Sequence, residues 1–265
     1  LSLIVQISDP HFGTERHDVV TALHEAIMSL SPHLVILSGD LTQRARRSQF
    51  AAARRFVDAY ARPTLVIPGN HDVPLFNVFA RALDPFGNYR RAFGRDLEPV
   101  FEDDEVLAIG VNTVRPSRHK NGEVSDAQIE RVSTRLRRAR GNPLRIVVTH
   151  QPVHVIREKD VENLLINRER AVAAWAEAGA DLVLGGHIHL PYVRPLTGEQ
   201  QGLARPLWSV QAGTAVSKRI REGISNSFHA IRRDRADECT VEQWDYDEAA
   251  RRFKAGSRTS IPLRH

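Results

Sequence analysis

The chain has 265 residues, 42% of them hydrophobic and 26% charged, which excludes a disordered or fibrous protein and leaves room for one large domain or two small ones. No apolar run approaches the roughly 18–20 residues that span a bilayer, and a single cysteine, Cys239, excludes an internal disulfide framework and fits a reducing, cytoplasmic compartment. Lys and Arg number 37 against 32 Asp and Glu, a net charge of +5; the basic residues are scattered, as on a solvated surface, with an anionic ligand open and a nucleic-acid polymer disfavoured.

The opening Leu-Ser-Leu-Ile-Val-Gln-Ile lacks the basic region and small-residue cleavage site of a signal peptide and reads as a first core strand over Leu3–Ile7. The chain starts on Leu rather than Met, which leaves a removed upstream segment open. Helical spacing follows over Arg16–Leu30, then a strand at Leu34–Leu37, a helix through Ala51–Val57 and a strand at Thr64–Ile67. This alternation argues an α/β unit with parallel strands at its centre. Pro85, Gly87 and Gly94 break the helical fragments between Pro74 and Pro99. Val106–Val111 reads as a strand, and Ser125–Arg140 as a helix with Ser125 as N-cap and Gln128 as its reciprocal partner. A strand at Arg145–Val148, a helix at Arg168–Ala178 closed by Gly179, and a strand at Leu182–Leu184 complete the alternating part. Beyond Tyr192 the runs 207–210, 228–231 and 239–244 look like strands without helices between them, an antiparallel second sheet packed on the first.

Five of these strands end in metal-ligand residue types: Asp9-Pro10-His11, Gly39-Asp40, Gly69-Asn70-His71-Asp72, Thr149-His150 and Gly185-Gly186-His187-Ile188-His189. In an open α/β sheet, ligands bind beyond the carboxyl ends of strands, so these side chains converge on one edge. Residues two apart on extended chain share a face, which would let Asp9 pair with His11 and His187 with His189. Oxygen and imidazole donors without thiolate suit Mn, Fe or Zn. Asp40 lies between the two sets as the natural bridging carboxylate, and two metals roughly 3.5–4 Å apart would clamp a phosphoryl centre and generate hydroxide at neutral pH. Each block alone is weak; their joint occurrence in order, each at a strand end, is the signal.

These five blocks resemble the signature of the calcineurin-like metallophosphoesterase superfamily from Leu3 to about Leu190. The resemblance implies an α/β fold of two mixed sheets packed as a sandwich and flanked by helices. The whole chain, 1–265, then reads as a single domain, with the ligand blocks within 1–190 and 191–265 completing the second sheet. It also implies two divalent or mixed-valence metal ions, Mn2+ or Fe/Mn, with Zn2+ as an alternative. One would take Asp9, His11, Asp40 and His189; the other Asp40, Asn70, His150 and His187. His71 would face the substrate phosphate as the catalytic residue, with Asn70 also touching substrate.

Protein serine/threonine phosphatases of the superfamily continue Gly-Asp with Asp-Arg-Gly and read Gly-Asn-His-Glu, whereas this chain has Leu41-Thr42-Gln43 and Asp72. Lipid A-pathway hydrolases carry Arg where His71 stands. Asp-Leu-Thr at 40–42, Asn112-Thr113-Val114-Arg115 with the Gly122…Ser125 helix start, and Thr149-His150-Gln151-Pro152 look most like the bacterial class III cyclic-nucleotide phosphodiesterase and glycerophosphodiesterase branch. The expected activity is therefore hydrolysis of small phosphodiesters by in-line attack of a metal-bridging hydroxide. The alternatives are a broad-specificity phosphomonoesterase, a nuclease, or a non-catalytic scaffold; a scaffold has no need of a complete ligand set, and a nuclease would want a basic groove and stacking aromatics.

Asn112 is a further substrate-binding candidate, Tyr192 a candidate pocket wall, and Ser8 and Thr42 candidate supports for ligands. His154 and His33 read as surface and loop residues, Trp175 as core or interface, and His17, His24, His119, His229 and His265 as unremarkable. Pro74–Pro99 and Val153–Asn167 are expected to form the pocket rim. A small anionic phosphoester is the expected partner, with no membrane and self-association left open.

Overall fold

The computed structural model describes residues 2–196 and 202–263. In chain order the first part holds β1 (Ser2–Ile7), α1 (His17–Leu30), β2 (Leu34–Leu37), α2 (Arg47–Asp58) and β3 (Thr64–Val66). Two short helices follow, α3 (Val78–Leu83) and α4 (Gly87–Phe93), in the segment the prolines and glycines break up. Next come β4 (Val100–Glu102), β5 (Val106–Gly110), α5 (Asp126–Arg138), β6 (Leu144–Val148), α6 (Arg168–Glu177) and β7 (Leu182–Gly185). Five strands close the chain: β8 (Tyr192–Pro195), β9 (Trp208–Gln211), β10 (Ser227–Arg235), β11 (Glu238–Asp247) and β12 (Arg252–Pro262).

Two six-stranded sheets result, ordered β12-β11-β10-β1-β2-β3 and β4-β5-β6-β7-β9-β8. β1, β2 and β3 run parallel in the first; β5, β6, β7 and β9 run parallel in the second. The continuous apolar runs of the central strands follow from burial on both faces. Along β2, Val35 and Leu37 pack outward against the helices, while Leu34 and Ile36 point at the other sheet. Along β6, Val147 faces outward and Ile146 and Val148 face inward. The period of two thus splits each strand between three layers: α1, α2 and α4 on the first sheet, a purely inter-sheet core, and α5 and α6 on the second.

The Ser125 capping box forms as its spacing predicts: Ser125 Oγ accepts from Gln128 N at 3.3 Å and Gln128 Oε1 accepts from Ser125 N at 2.9 Å. One expectation fails. Residues after Tyr192 do not complete the second sheet alone: β8 and β9 join it, but β10, β11 and β12 extend the first sheet, with β10 antiparallel to β1. The reason lies in β1, whose free side accepts the C-terminal strands; the sequence marks these as strands but carries no record of which edge they meet.

No helix among the described residues is long and apolar enough to cross a membrane. Five of the large apolar side chains that remain exposed, Leu75, Phe76, Val78, Phe79 and Leu83, lie in and just before α3. Ile146, fully buried between the sheets, and Met28, 44% exposed on α1, make a contrasting pair. Ile146→Ala should cost about 2–5 kcal/mol through lost transfer energy and the cavity left behind, and Met28→Ala no more than about 0.5 kcal/mol. Urea unfolding of the two variants checks this; equal losses would mean the inter-sheet layer is not the core.

Candidate metal centre

Five parallel strands end at the same edge, and each is followed by one of the motif blocks. Backbone hydrogen bonds continue past the strand ends and lock the blocks to one another. Asp9 N donates to Gly39 O and His11 N to Asp40 O, both at 3.1 Å, and Gly186 N donates to His150 O at 2.9 Å. The pairing of ligands two apart does not come from extended chain, as the spacing suggested. Asp9, His11, Asp40, His187 and His189 all have φ between 45° and 72°. Five of the eleven described non-glycine residues with positive φ are therefore candidate ligands. That conformation is uncommon for side-chain-bearing residues and costs of order 1–3 kcal/mol each where it is not locally favoured. Here it turns each side chain off the sheet and over the edge.

Two donor groups result. Asp9, His11 and His189 offer ligand atoms within 4.8 Å of one another, and Asp40, His150 and His187 do the same. His11 Nε2 lies 3.1 Å from His189 Nε2 and 3.6 Å from both Asp9 Oδ1 and Asp40 Oδ2. His150 Nε2 lies 3.1 Å from Asn70 Oδ1 and 3.3 Å from Asp40 Oδ1, which places Asn70 with the second group and Asp40 between the two. A third grouping, His11, Asp40 and His71, meets the same distance test. Both ring nitrogens of His71 are otherwise engaged, however. Nδ1 donates to Gln43 O at 3.0 Å, so Nε2 is the acceptor for Arg219 Nη1 at 3.2 Å.

The non-ligating atoms are held in the way metal sites require. His150 Nδ1 donates to Ser38 O and His189 Nδ1 to Arg219 O, each at 2.8 Å, which turns both Nε2 atoms toward the donor groups. Asp9 Oδ2 accepts from Ser8 Oγ at 2.6 Å and His187 N at 2.9 Å, which turns Oδ1 toward the histidines. These approaches need glycine beside them. A Cβ on Gly186 would sit 2.0 Å from Ser8 Oγ, and one on Gly69 would sit 2.2 Å from Asp40 N. Asp72 ties the second block to the third. Its Oδ1 accepts from Thr42 N and Thr42 Oγ1, both at 2.9 Å, and its Oδ2 from Leu41 N at 3.0 Å and Gly69 N at 2.9 Å. Burial and the Asp40 charge push its pKa up to about 7 against those donors.

Burial alone would raise the pKa values of Asp9 and Asp40. The facing imidazoles hold both well below the usual carboxylate range, led by His189 for Asp9 and by His150 for Asp40. Burial lowers His11 to about 4 and His187 to about 3, which keeps both neutral at pH 7, the form that ligates. His150 moves the other way, to about 9, because Asp40 outweighs its burial. Two buried carboxylates thus face histidines, and among the described residues no Lys or Arg pairs with either. Both ring nitrogens of His187 are buried without a hydrogen-bond partner among the described residues. A cation coordinated by oxygen and imidazole would satisfy these groups, so the donor set fits divalent metal.

A cleft of about 540 Å³ opens over this centre, with Asp40, Asn70, His71, His187 and His189 at its base. Leu75 comes from one expected rim segment and Lys159, Asp160, Glu162 and Asn163 from the other. His119, Lys120, Arg219 and Arg221 also line it and were not expected there; the Lys218-Arg219-Ile220-Arg221 cluster between two strands was the available signal. Asn112 is not brought to the cleft: its carboxamide oxygen accepts from Val114 N at 3.1 Å, closing its own turn. Nor is Tyr192, whose hydroxyl donates to His154 O beneath Ile188 and Leu190. His154 is buried rather than on the surface, Trp175 is in the core behind the second sheet, and His265 lies outside the described residues.

The description "Calcineurin-like phosphoesterase" matches residues 2–191. The protein named "Probable glycerophosphodiester phosphodiesterase GpdQ" from Arcobacter nitrofigilis is 26% identical over 71% of this chain and 71% of its own length. One named "Probable cyclic nucleotide phosphodiesterase" from a Synechococcus species is 26% identical over 72% of this chain and 74% of its own. Among solved structures, a dimetal phosphatase from Danio rerio superposes with a TM-score of 0.68 at 12% identity, covering 99% of both chains, which speaks for the shared two-sheet sandwich.

The four donors on Asp72 generate a prediction. In Asp72→Asn the amide nitrogen would oppose at least one buried N–H group whichever way the carboxamide turns, so stability should fall by about 1–3 kcal/mol, and the Asp40 loop should loosen and retain less metal. Urea unfolding and elemental analysis check both; an unchanged midpoint would mean that these donors find other acceptors.

Proposed function

The chain belongs to the calcineurin-like phosphoesterase family, and we propose that within it this protein is a dinuclear metal-dependent phosphodiesterase acting on small phosphodiesters such as cyclic nucleotides or glycerophosphodiesters. The observation that carries the reading is the pair of buried donor groups that meet at Asp40 on the floor of an open cleft. The printed names of the two relatives, one for glycerophosphodiesters and one for cyclic nucleotides, support the diester class. The cleft supports a small substrate: Lys120–Glu162, Lys159–Glu222 and Arg221–Asp160 pairs tie three of its five cations to carboxylates, which leaves no continuous basic track for a polymer to follow.

Asp9, His11, Asp40 and His189 would hold one ion and Asp40, Asn70, His150 and His187 the other, with Mn2+, Fe/Mn or Zn2+ suited to donors that include no sulfur. Such ions supply Lewis acidity at phosphoryl oxygens and a water acidified toward neutral pH. The chain's own residues do the positioning. Asp9 and His189 are fixed by Ser8, the His187 amide and the Arg219 carbonyl, so the floor is rigid before substrate arrives. His71 stands beside the floor with Nδ1–H bound to the Gln43 carbonyl and Nε2 toward the cleft. In this reading Nε2 is the atom that meets the leaving oxygen. It can deliver a proton there only when the ring carries both protons, since Nδ1–H is committed to Gln43, and Nε2 then no longer accepts from Arg219.

A substrate panel with metal-reconstituted protein tests the reading, comparing a nitrophenyl monoester, bis-nitrophenyl phosphate, cyclic nucleotides and glycerophosphodiesters. Diesters should be preferred, chelation should abolish activity, and Mn2+ should rank among the best restoring ions. A strong monoester preference would overturn the diester assignment, and full activity in a verified metal-free sample would overturn the metal requirement.

His71 makes a second, separable expectation. General acid catalysis contributes about 10²–10⁴-fold, and most where the leaving group is poor. His71→Ala should therefore keep both metals, lose little on an activated aryl diester and lose far more on an alkyl diester. Equal losses on both substrates at unchanged metal content would reassign His71 to phosphate binding.

A further inference from the structure

We propose that the Arg219 guanidinium binds the phosphoryl group of the substrate; this rests on the phosphoesterase reading above. Arg219 lies in the connection between β9 and β10, over the histidine side of the metal centre. Its carbonyl accepts from His189 Nδ1, which pins the residue's backbone to the centre. Its Nη1 lies 3.2 Å from His71 Nε2, 3.1 Å from Gln43 Oε1 and 3.5 Å from His11 Nδ1.

Five Arg and Lys residues line the cleft. Lys120, Lys159 and Arg221 are each paired with a carboxylate, and Arg44 lies over the Phe76 ring. Arg219 and Arg44 have no carboxylate partner among the described residues, but of the five only Arg219 reaches the histidines of the centre: its guanidinium contacts run through Nη1, to Gln43 Oε1, His71 Nε2 and, at 3.5 Å, His11 Nδ1. A guanidinium carries five donors in a planar fork that matches two phosphate oxygens. The Nε and Nη2 donors of Arg219 make no hydrogen bond to the described residues, and the residue lines the cleft beside His71. An anionic phosphoryl group supplies the charge that the surrounding imidazole and carboxamide cannot. This residue also answers what would orient the phosphate relative to Nε2 of His71, since both groups meet at one point.

The test uses the metal-loaded chain as wild type, Arg219→Ala and Arg219→Lys. Metal content is measured by elemental analysis, binding of inorganic phosphate by calorimetry, and kcat and KM with bis-nitrophenyl phosphate. Arg219→Ala should keep its metals, because the carbonyl that holds His189 is backbone. It should bind phosphate about 10- to 100-fold more weakly, the loss expected for one charge-assisted contact, and raise KM. Arg219→Lys should retain part of the affinity, and millimolar guanidinium should restore part of it to Arg219→Ala, a rescue that a merely structural role would not show. Phosphate affinity within twofold of wild type at equal metal content would overturn the proposal. Loss of metal in Arg219→Ala would also overturn it, assigning the residue to the support of His189 instead. A wild-type protein that neither binds phosphate nor cleaves any ester would instead overturn the functional reading on which it rests.

Discussion

Two carboxylates, Asp9 and Asp40, are buried at the edge of the sheets facing histidines, with no Lys or Arg paired to either among the described residues. Removing such charges from water costs several kcal/mol per ion unless something compensates. Much of the local construction answers that constraint. Ser8 and the His187 amide hold one oxygen of Asp9, and the His71 amide holds Asp40 Oδ1 at 2.8 Å. Five residues take left-handed backbone to aim inward, and glycines stand where any side chain would collide with the carboxylates. The strain has a single beneficiary, the concentration of donor atoms on one point.

The parts of the fold that the sequence revealed are those buried on both faces. β1, β2, β5, β6 and β7 show predominantly apolar runs because each contributes to two cores at once. The strands that went unread, β4, β8 and β12, are all sheet edges. β12 carries Arg252, Lys254 and Arg258 and exposes most of its residues, the charged edge that discourages pairing with another molecule. Such a strand is written in its partner's hydrogen bonds rather than in its own hydropathy. The same limit produced the misplacement of 227–262, since alternation identifies a strand and not its neighbour.

The site divides along similar lines. Asp9, His11, Asp40, Asn70, His150, His187 and His189 were legible because their residue types cluster at strand ends, where a purely structural sequence has little need of them. Arg219, His119 and Lys120 were not, because a basic side chain on a loop looks the same whether it meets water or a cleft; only the tertiary path of 212–226 brings Arg219 to His71. Asn112 shows the converse error. It ends a strand as the candidate ligands do, but its side chain closes a local turn, a role open to any Asn at such a position.

The antiparallel seam between β1 and β10 has a consequence for how the protein is made. β1 is made before the other described strands and carries the loop of Asp9 and His11, yet its second neighbour comes from residues 227–235. Vectorial synthesis therefore delivers the ligand-bearing strands long before the one that closes the sheet around them. During that interval β1 offers an open flank, and the nascent centre lacks His189's hold on the Arg219 carbonyl. Non-local pairing of this kind slows folding and exposes strand edges on the way. The donor groups should accordingly reach their final geometry late, after β10 has been made and paired with β1.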